Sequence, residues 1–205
     1  MIIIRILYIY AKENPNVGYV QGMNEIVSKI YHSYMIDNNF IFSMHLEADT
    51  YHSFCLFMNR IKDIYSREMD FASNGIKYQL SKIKFMLKLL EKDVFSCFEK
   101  NYLEIDLFCF RWYAVIFAQD IESPDIFRLW DFLFIEEDIY DFLNFTCVAV
   151  LRIKKSEFIK LDMAGIMDNL KNLKKINIDI LIKTAFEIKN EFRMKKIEKQ
   201  FALMK

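Results

Sequence analysis

A glutamine on a glycine-bounded turn, at the point where the chain enters a helix, is the first residue whose surroundings suggest chemistry. In Asn14-Pro15-Asn16-Val17-Gly18-Tyr19-Val20-Gln21-Gly22-Met23-Asn24-Glu25 fall two of the chain's four glycines and one of its two prolines. Glycine frees the backbone for positive φ and proline fixes it, so their crowding marks a shaped turn. Met23 to Ile36 reads as a helix, which puts Gln21 beside unpaired N–H groups that suit a phosphate-bearing partner. A carboxamide there orients a water or accepts a hydrogen bond, but it is no general base. On geometry alone a well-formed turn with a surface glutamine is the plainer account.

Other constellations are weaker. His45-x-Glu47-x-Asp49-x-x-His52 gathers metal-ligating types, but their gaps do not share one helix face and H-E-x-x-H is absent, so no metal is expected. Asp49 reads instead as a cap or network residue at a helix start. No glycine-rich phosphate loop and no G-x-S-x-G occurs. Cys55, Cys97, Cys109 and Cys147 are widely spaced in apolar surroundings, which predicts buried free thiols rather than zinc or a disulfide scaffold.

The elements that must position Gln21 are helical. Residues 2–11 read as a short, largely buried helix ending before Asn14-Pro15. Another runs from about Ala48 to Tyr65, and Leu80, Ile83, Leu87 and Leu90 mark a clean amphipathic one. Asp37-Asn38-Asn39 is a turn signal and residues 66–75 a loop. Leu107–Phe117, Ile126–Ile135 and Phe142–Ile153 are apolar on every face, which predicts three central, buried helices. Ser123-Pro124-Asp125 offers Ser as N-cap, Pro at the first helical position and Asp for the dipole. No convincing strand alternation appears, so the class is all-α, a single domain. A 54% hydrophobic content over 205 residues supplies a sizeable core. The 28 basic and 28 acidic residues cancel, which argues against a nucleic-acid binder. The apolar start, Met1 to Tyr10, is too short to span a bilayer and lacks signal-peptide features.

Tyr19-Val20-Gln21-Gly22-Met23-Asn24, after Tyr10-Ala11-Lys12-Glu13-Asn14-Pro15, resembles the glutamine-finger motif of the TBC domain, the catalytic module of Rab GTPase-activating proteins. Glu47-Ala48-Asp49-Thr50-Tyr51, Phe110-Arg111-Trp112 and Phe127-Arg128-Leu129-Trp130-Asp131-Phe132-Leu133-Phe134 resemble its later motifs, in the family's order. The resemblance spans about Leu7 to Glu187. It implies a TBC-type domain over 1–187, with two helical lobes and the Gln21 turn near their junction, then a basic amphipathic helix or tail over 188–205.

The resemblance further implies that Gln21 enters a Rab nucleotide site and positions the attacking water. Gly22 would permit close backbone approach, Met23 match a flanking position, and Tyr19 and Asn24 hold the loop in shape. The partner would be a GTP-bound Rab-family GTPase whose GTP and magnesium are its own, so no cofactor is implied for this chain. A cytoplasmic protein is implied, peripheral on endomembranes only through that partner. Arg111 with Asp131 would form a buried ion pair bracing two helices, with Trp112 and Trp130 in the core.

The family's arginine finger sits in an Ile-x-x-Asp-x-x-Arg motif several tens of residues before the glutamine, and the twenty residues before Gln21 contain no such motif. Arg5 is the sole arginine there and reads as a snorkelling or partner-facing residue. An arginine finger contributes roughly a thousand- to hundred-thousand-fold in rate. The N-terminal part is therefore expected to be truncated, leaving apolar surface that binds hydrophobic dyes. The competing expectation is a TBC-like scaffold that binds a GTPase or trafficking partner without stimulating hydrolysis. A helical membrane-surface adaptor using the basic tail is a more distant one.

Overall fold

The structure, a computed structural model, describes residues 1–36, 45–65, 75–171 and 173–194. Ten α-helices and no strand occur among the described residues. Three helices, α1 (Ile2–Glu13), α2 (Met23–Ile36) and α3 (Leu46–Ile61), pack on one another. A single 3-10 turn, Lys62–Tyr65, follows. The remainder, α4 (Ile76–Leu90), α5 (Lys92–Lys100), α6 (Asp106–Ala114), α7 (Asp125–Ile135), α8 (Ile139–Phe158), α9 (Met163–Lys171) and α10 (Ile178–Met194), gathers round α8. The expected turn at Asp37-Asn38-Asn39 and nearly all of the expected loop at 66–75 lie outside the described residues.

The two groups share one apolar core. Across their junction Phe57 meets Trp130 and Phe134 edge-on, with centroids 4.7 and 4.6 Å apart. Arg60 donates to the Glu136 carbonyl at 2.9 Å, and the Tyr65 hydroxyl donates to the Ala114 carbonyl at 2.5 Å.

Of the three helices apolar on every face, only α8 is enclosed: every residue from Phe142 to Leu151 is buried. Its start is capped by Asp138, which accepts from the N–H groups of Tyr140 and Asp141. Helices α6 and α7 instead leave Leu107, Phe110, Phe132 and Ile135 exposed. Composition records how apolar a helix is, not how many neighbours surround it; α8 touches α4, α5, α6, α7, α9 and α10.

The expectation for the first helix is corrected in the same way. In α1 only Ile6 and Tyr10 are buried, while Ile4 and Tyr8 face outward. Nor does Ser123 cap α7: Pro124 holds the N-cap position, and the Ser123 hydroxyl has no partner. At the other end Phe192 of α10 is buried against Phe145 of α8, and residues 195–205 lie outside the described ones.

No described helix is long and apolar enough to cross a membrane. The four thiols are free, three of them buried and Cys55 partly exposed.

Candidate functional site

The turn carrying Gln21 is held by backbone hydrogen bonds together with the side chains of Asn14, Met23 and Asn24. Helix α1 closes with the Asn14 N–H and side-chain amide both donating to the Tyr10 carbonyl, each at 2.9 Å. The Asn14 carbonyl then accepts from Val17 and Gly18 at 3.0 and 2.8 Å. Gly18 (φ +65) and Gly22 (φ +110) hold the two positive-φ positions of the turn. A Cβ on Gly22 would lie 2.8 Å from Cγ1 of Val115, so this glycine is required twice over, by φ and by space. A Cβ on Gly18 would meet nothing within 4 Å.

The Asn24 side chain reaches back over the loop. Its Oδ1 lies 3.3 Å from both the Tyr19 hydroxyl and the Gly22 N–H. Met23 is fully buried, and its sulfur accepts from the Val20 N–H at 3.4 Å. Gln21 itself is exposed, and no described residue hydrogen-bonds its side chain. The carboxamide is thus free to meet a partner while the backbone beneath it is fixed.

Beside Gln21 opens a cleft of about 690 Å³, bordered by Tyr19, Val20 and Gln21 on one side and by Tyr65, Leu107 and Phe110 on the other. Tyr19, Leu107 and Phe110 are each about half exposed. Lys77 and Asp106 are its charged lining residues, and no arginine is among the described residues that line it. Exposed aromatic and aliphatic edges around an uncommitted amide suit a protein surface better than a small polar metabolite. Burial pushes the Tyr65 phenol far above its usual range, so it remains a donor to Ala114.

Arg5 is not idle. Its Nε and Nη2 meet the two carboxylate oxygens of Glu47 at 2.8 and 2.5 Å, tying α1 to α3. The exposed pair raises the guanidinium and lowers the carboxyl, chiefly through the hydrogen bond. Asp49 lies one turn inside α3, whose N-cap position is His45, so it faces the positive end of the helix rather than capping it. No group of three metal-ligating side chains occurs among the described residues.

The expected Arg111–Asp131 pair is not formed. Asp131 is exposed on α7, and Arg111 reaches Asp120 at 2.5 Å instead. The reason lies just past α6, where the chain reverses: Ile116 and Phe117 take left-handed conformations, with φ +48 and +60. Each such non-glycine residue costs of order 1–3 kcal/mol. That reversal brings Asp120 back over Arg111 and Trp112. Trp112 is fully buried, and the Trp130 indole N–H donates to the Ile116 carbonyl at 2.9 Å.

Asp120, Val115 and Tyr65 are the members of this neighbourhood that the sequence did not flag. Nothing local marks them, since each acquires its role from a contact across helices or across the reversal.

A family model described as the Rab-GTPase-TBC domain matches residues 3–159. Human TBC1 domain family member 13 is 32% identical over 186 residues, covering 91% of this chain and 46% of its own length. The chain thus spans about half the length of that relative. The crystal structure of the Ypt/Rab-GAP domain of Gyp1p superposes with a TM-score of 0.80 at 21% identity, over 94% of this chain and 65% of that one. A Chlamydomonas flagellar RabGAP TBC domain gives 0.69 at 21% identity, over 90% and 58%. Both likenesses speak to the fold.

Proposed function

This chain belongs to the Rab-GTPase-TBC domain family, and on that premise we propose that it stimulates GTP hydrolysis by a Rab-family GTPase, acting in trans through Gln21. The carboxamide enters the partner's nucleotide site and orients the attacking water. Phosphoryl transfer suits such help, because its catalysis is mostly positioning and electrostatic stabilisation. GTP and its magnesium belong to the partner, which is engaged in its GTP-bound state, and membrane contact is peripheral and through that partner. The observation that carries the reading is an exposed, uncommitted Gln21 on a backbone-locked turn beside an apolar-edged cleft.

A charge-neutralising arginine is assigned to a contribution from beyond the described cleft lining, because Arg5 is held by Glu47 and no arginine is among the described residues that line the cleft. The same observation favours a second reading, in which the domain binds a GTPase without accelerating it.

Single-turnover GTP hydrolysis across a panel of GTP-loaded Rab proteins separates the two. Stimulation that falls about 100-fold in Gln21→Ala, with binding retained, supports the glutamine finger. Tight binding to one Rab with no stimulation supports the binding module. Stimulation unchanged by Gln21→Ala sinks the assignment of Gln21.

A further inference from the structure

We propose that Asp120 is a positioning residue for the Gln21 turn: by clasping Arg111 across the reversal after α6 it fixes the Val115 seat on which Gly22 rests. Its catalytic consequence rests on the reading of Gln21 as a finger, but the geometry does not.

Helix α6 ends as a Schellman motif. The Phe117 N–H donates to the Trp112 carbonyl at 3.0 Å and the Ile116 N–H to the Tyr113 carbonyl at 3.3 Å. The left-handed position of that motif usually holds glycine; here it holds isoleucine, and the next residue is left-handed too. A β-branched residue persists in that conformation only when its surroundings over-determine it.

Three constraints do so. The Trp130 indole pins the Ile116 carbonyl, the Trp112 and Phe117 rings stack with centroids 5.5 Å apart, and Arg111 grips Asp120. The Phe117 carbonyl accepts from the N–H groups of Asp120 and Ile121, both at 3.0 Å, which sets Asp120 at the end of the reversal. Immediately before the reversal lie Val115 and the Ala114 carbonyl, the two groups nearest to a Cβ on Gly22.

Stability is a poor account of Asp120. Its side chain is 2% exposed, its second oxygen has no partner, and the Arg111 Nε is likewise unpaired. The Trp112 indole lies near enough to favour the carboxylate but makes no well-formed hydrogen bond. Burial raises the carboxyl above its usual range, and the opposing pull of Arg111 does not cancel it. An apolar side chain would fill such a place at less cost. A buried, half-satisfied carboxylate that instead spans the reversal acts as a geometric clamp.

Hydrogen–deuterium exchange on the 205-residue chain tests this, comparing wild type with Asp120→Asn, Asp120→Glu and Asp131→Asn. In Asp120→Asn the Met23 and Glu25 amides, which donate to Val20 and Gly22, are expected to exchange about 10-fold faster while the slowest α8 amides do not change. Asp120→Glu restores part of the protection, and Asp131→Asn leaves it intact. Trp130→Phe, which frees the Ile116 carbonyl by a separate route, loosens the same amides and serves if Asp120→Asn does not fold. Unchanged exchange in the turn, or a rise matched in α8, overturns the clamp.

Where wild type stimulates a Rab, Asp120→Asn lowers the maximal single-turnover rate with half-saturation unchanged; the reverse split overturns the catalytic role. Absence of stimulation by wild type removes the function reading and leaves exchange to judge the clamp.

Discussion

Two regions of this molecule treat buried polar groups in opposite ways. Around α8 they are satisfied with one exception, Asn169 Oδ1 on α9: Asn144 donates to Gln79 at 2.7 Å, its Oδ1 lies 2.9 Å from the Tyr113 hydroxyl, and Thr146 donates to the Phe142 carbonyl. Arg152 meets both oxygens of Glu191 at 2.8 and 2.9 Å and Glu91 at 2.5 Å, joining three segments. In the reversal after α6, by contrast, Arg111 Nε, Trp112 Nε1, Asp120 Oδ2 and Ser123 Oγ are buried without partners, beside two left-handed residues. A saturated core makes a scaffold rigid, whereas strain beside a candidate site fixes one particular backbone path. The difference teaches that stability and placement are supplied by different parts of the chain.

The largest test of that division is in the scaffold. Phe145→Ala opens a cavity between α8 and Phe192 and is expected to cost about 3–5 kcal/mol in urea unfolding. A loss under about 1 kcal/mol would show that α8 is not the rigid centre. Arg152→Ala leaves Glu91, only 8% exposed, without its close partner and is expected to cost about 3 kcal/mol. Cooperative melting should survive both.

At the turn, paired glycine substitutions sharpen the contrast. Gly22→Ala must strain φ and push Val115, for about 2–3 kcal/mol, whereas Gly18→Ala meets open space and costs about 1 kcal/mol. Equal losses in thermal melts would mean that the Val115 seat yields easily.

The smallest effect is on pH. Burial, partly offset by Arg111, raises the folded Asp120 carboxyl above the usual 3.8. Its contribution to stability is therefore fully present below that value and declines as pH rises through the folded one. The stability difference between wild type and Asp120→Asn should move in favour of Asp120→Asn from about pH 4 upward. Urea melts at pH 4 and pH 7 check the sign, and the opposite trend would mean that Arg111 outweighs desolvation.

Much of this was legible in advance. Helix α2 has the bounds read from the sequence, Met23 to Ile36, because Gly22 closes the turn before it and apolar residues mark its face. The Gln21 turn was legible for the same reason, since glycine and proline are local signals. Partner choice was not. Arg111 offered itself to Asp131, an acid in a neighbouring motif, and took Asp120 because the reversal at Ile116 and Phe117 turned the chain back. No residue type announces a left-handed isoleucine.

By itself the sequence determined the helical class, the shaped turn, the exposed glutamine and the family, because periodicity, turn residues and ordered motifs are properties of neighbours along the chain. Only the tertiary structure decided that α8 is the centre, that Arg5 is tied to Glu47, that Asp120 partners Arg111 and that Val115 seats Gly22. Those depend on which surfaces meet, and meetings between residues far apart in sequence are settled by packing and the path of the backbone.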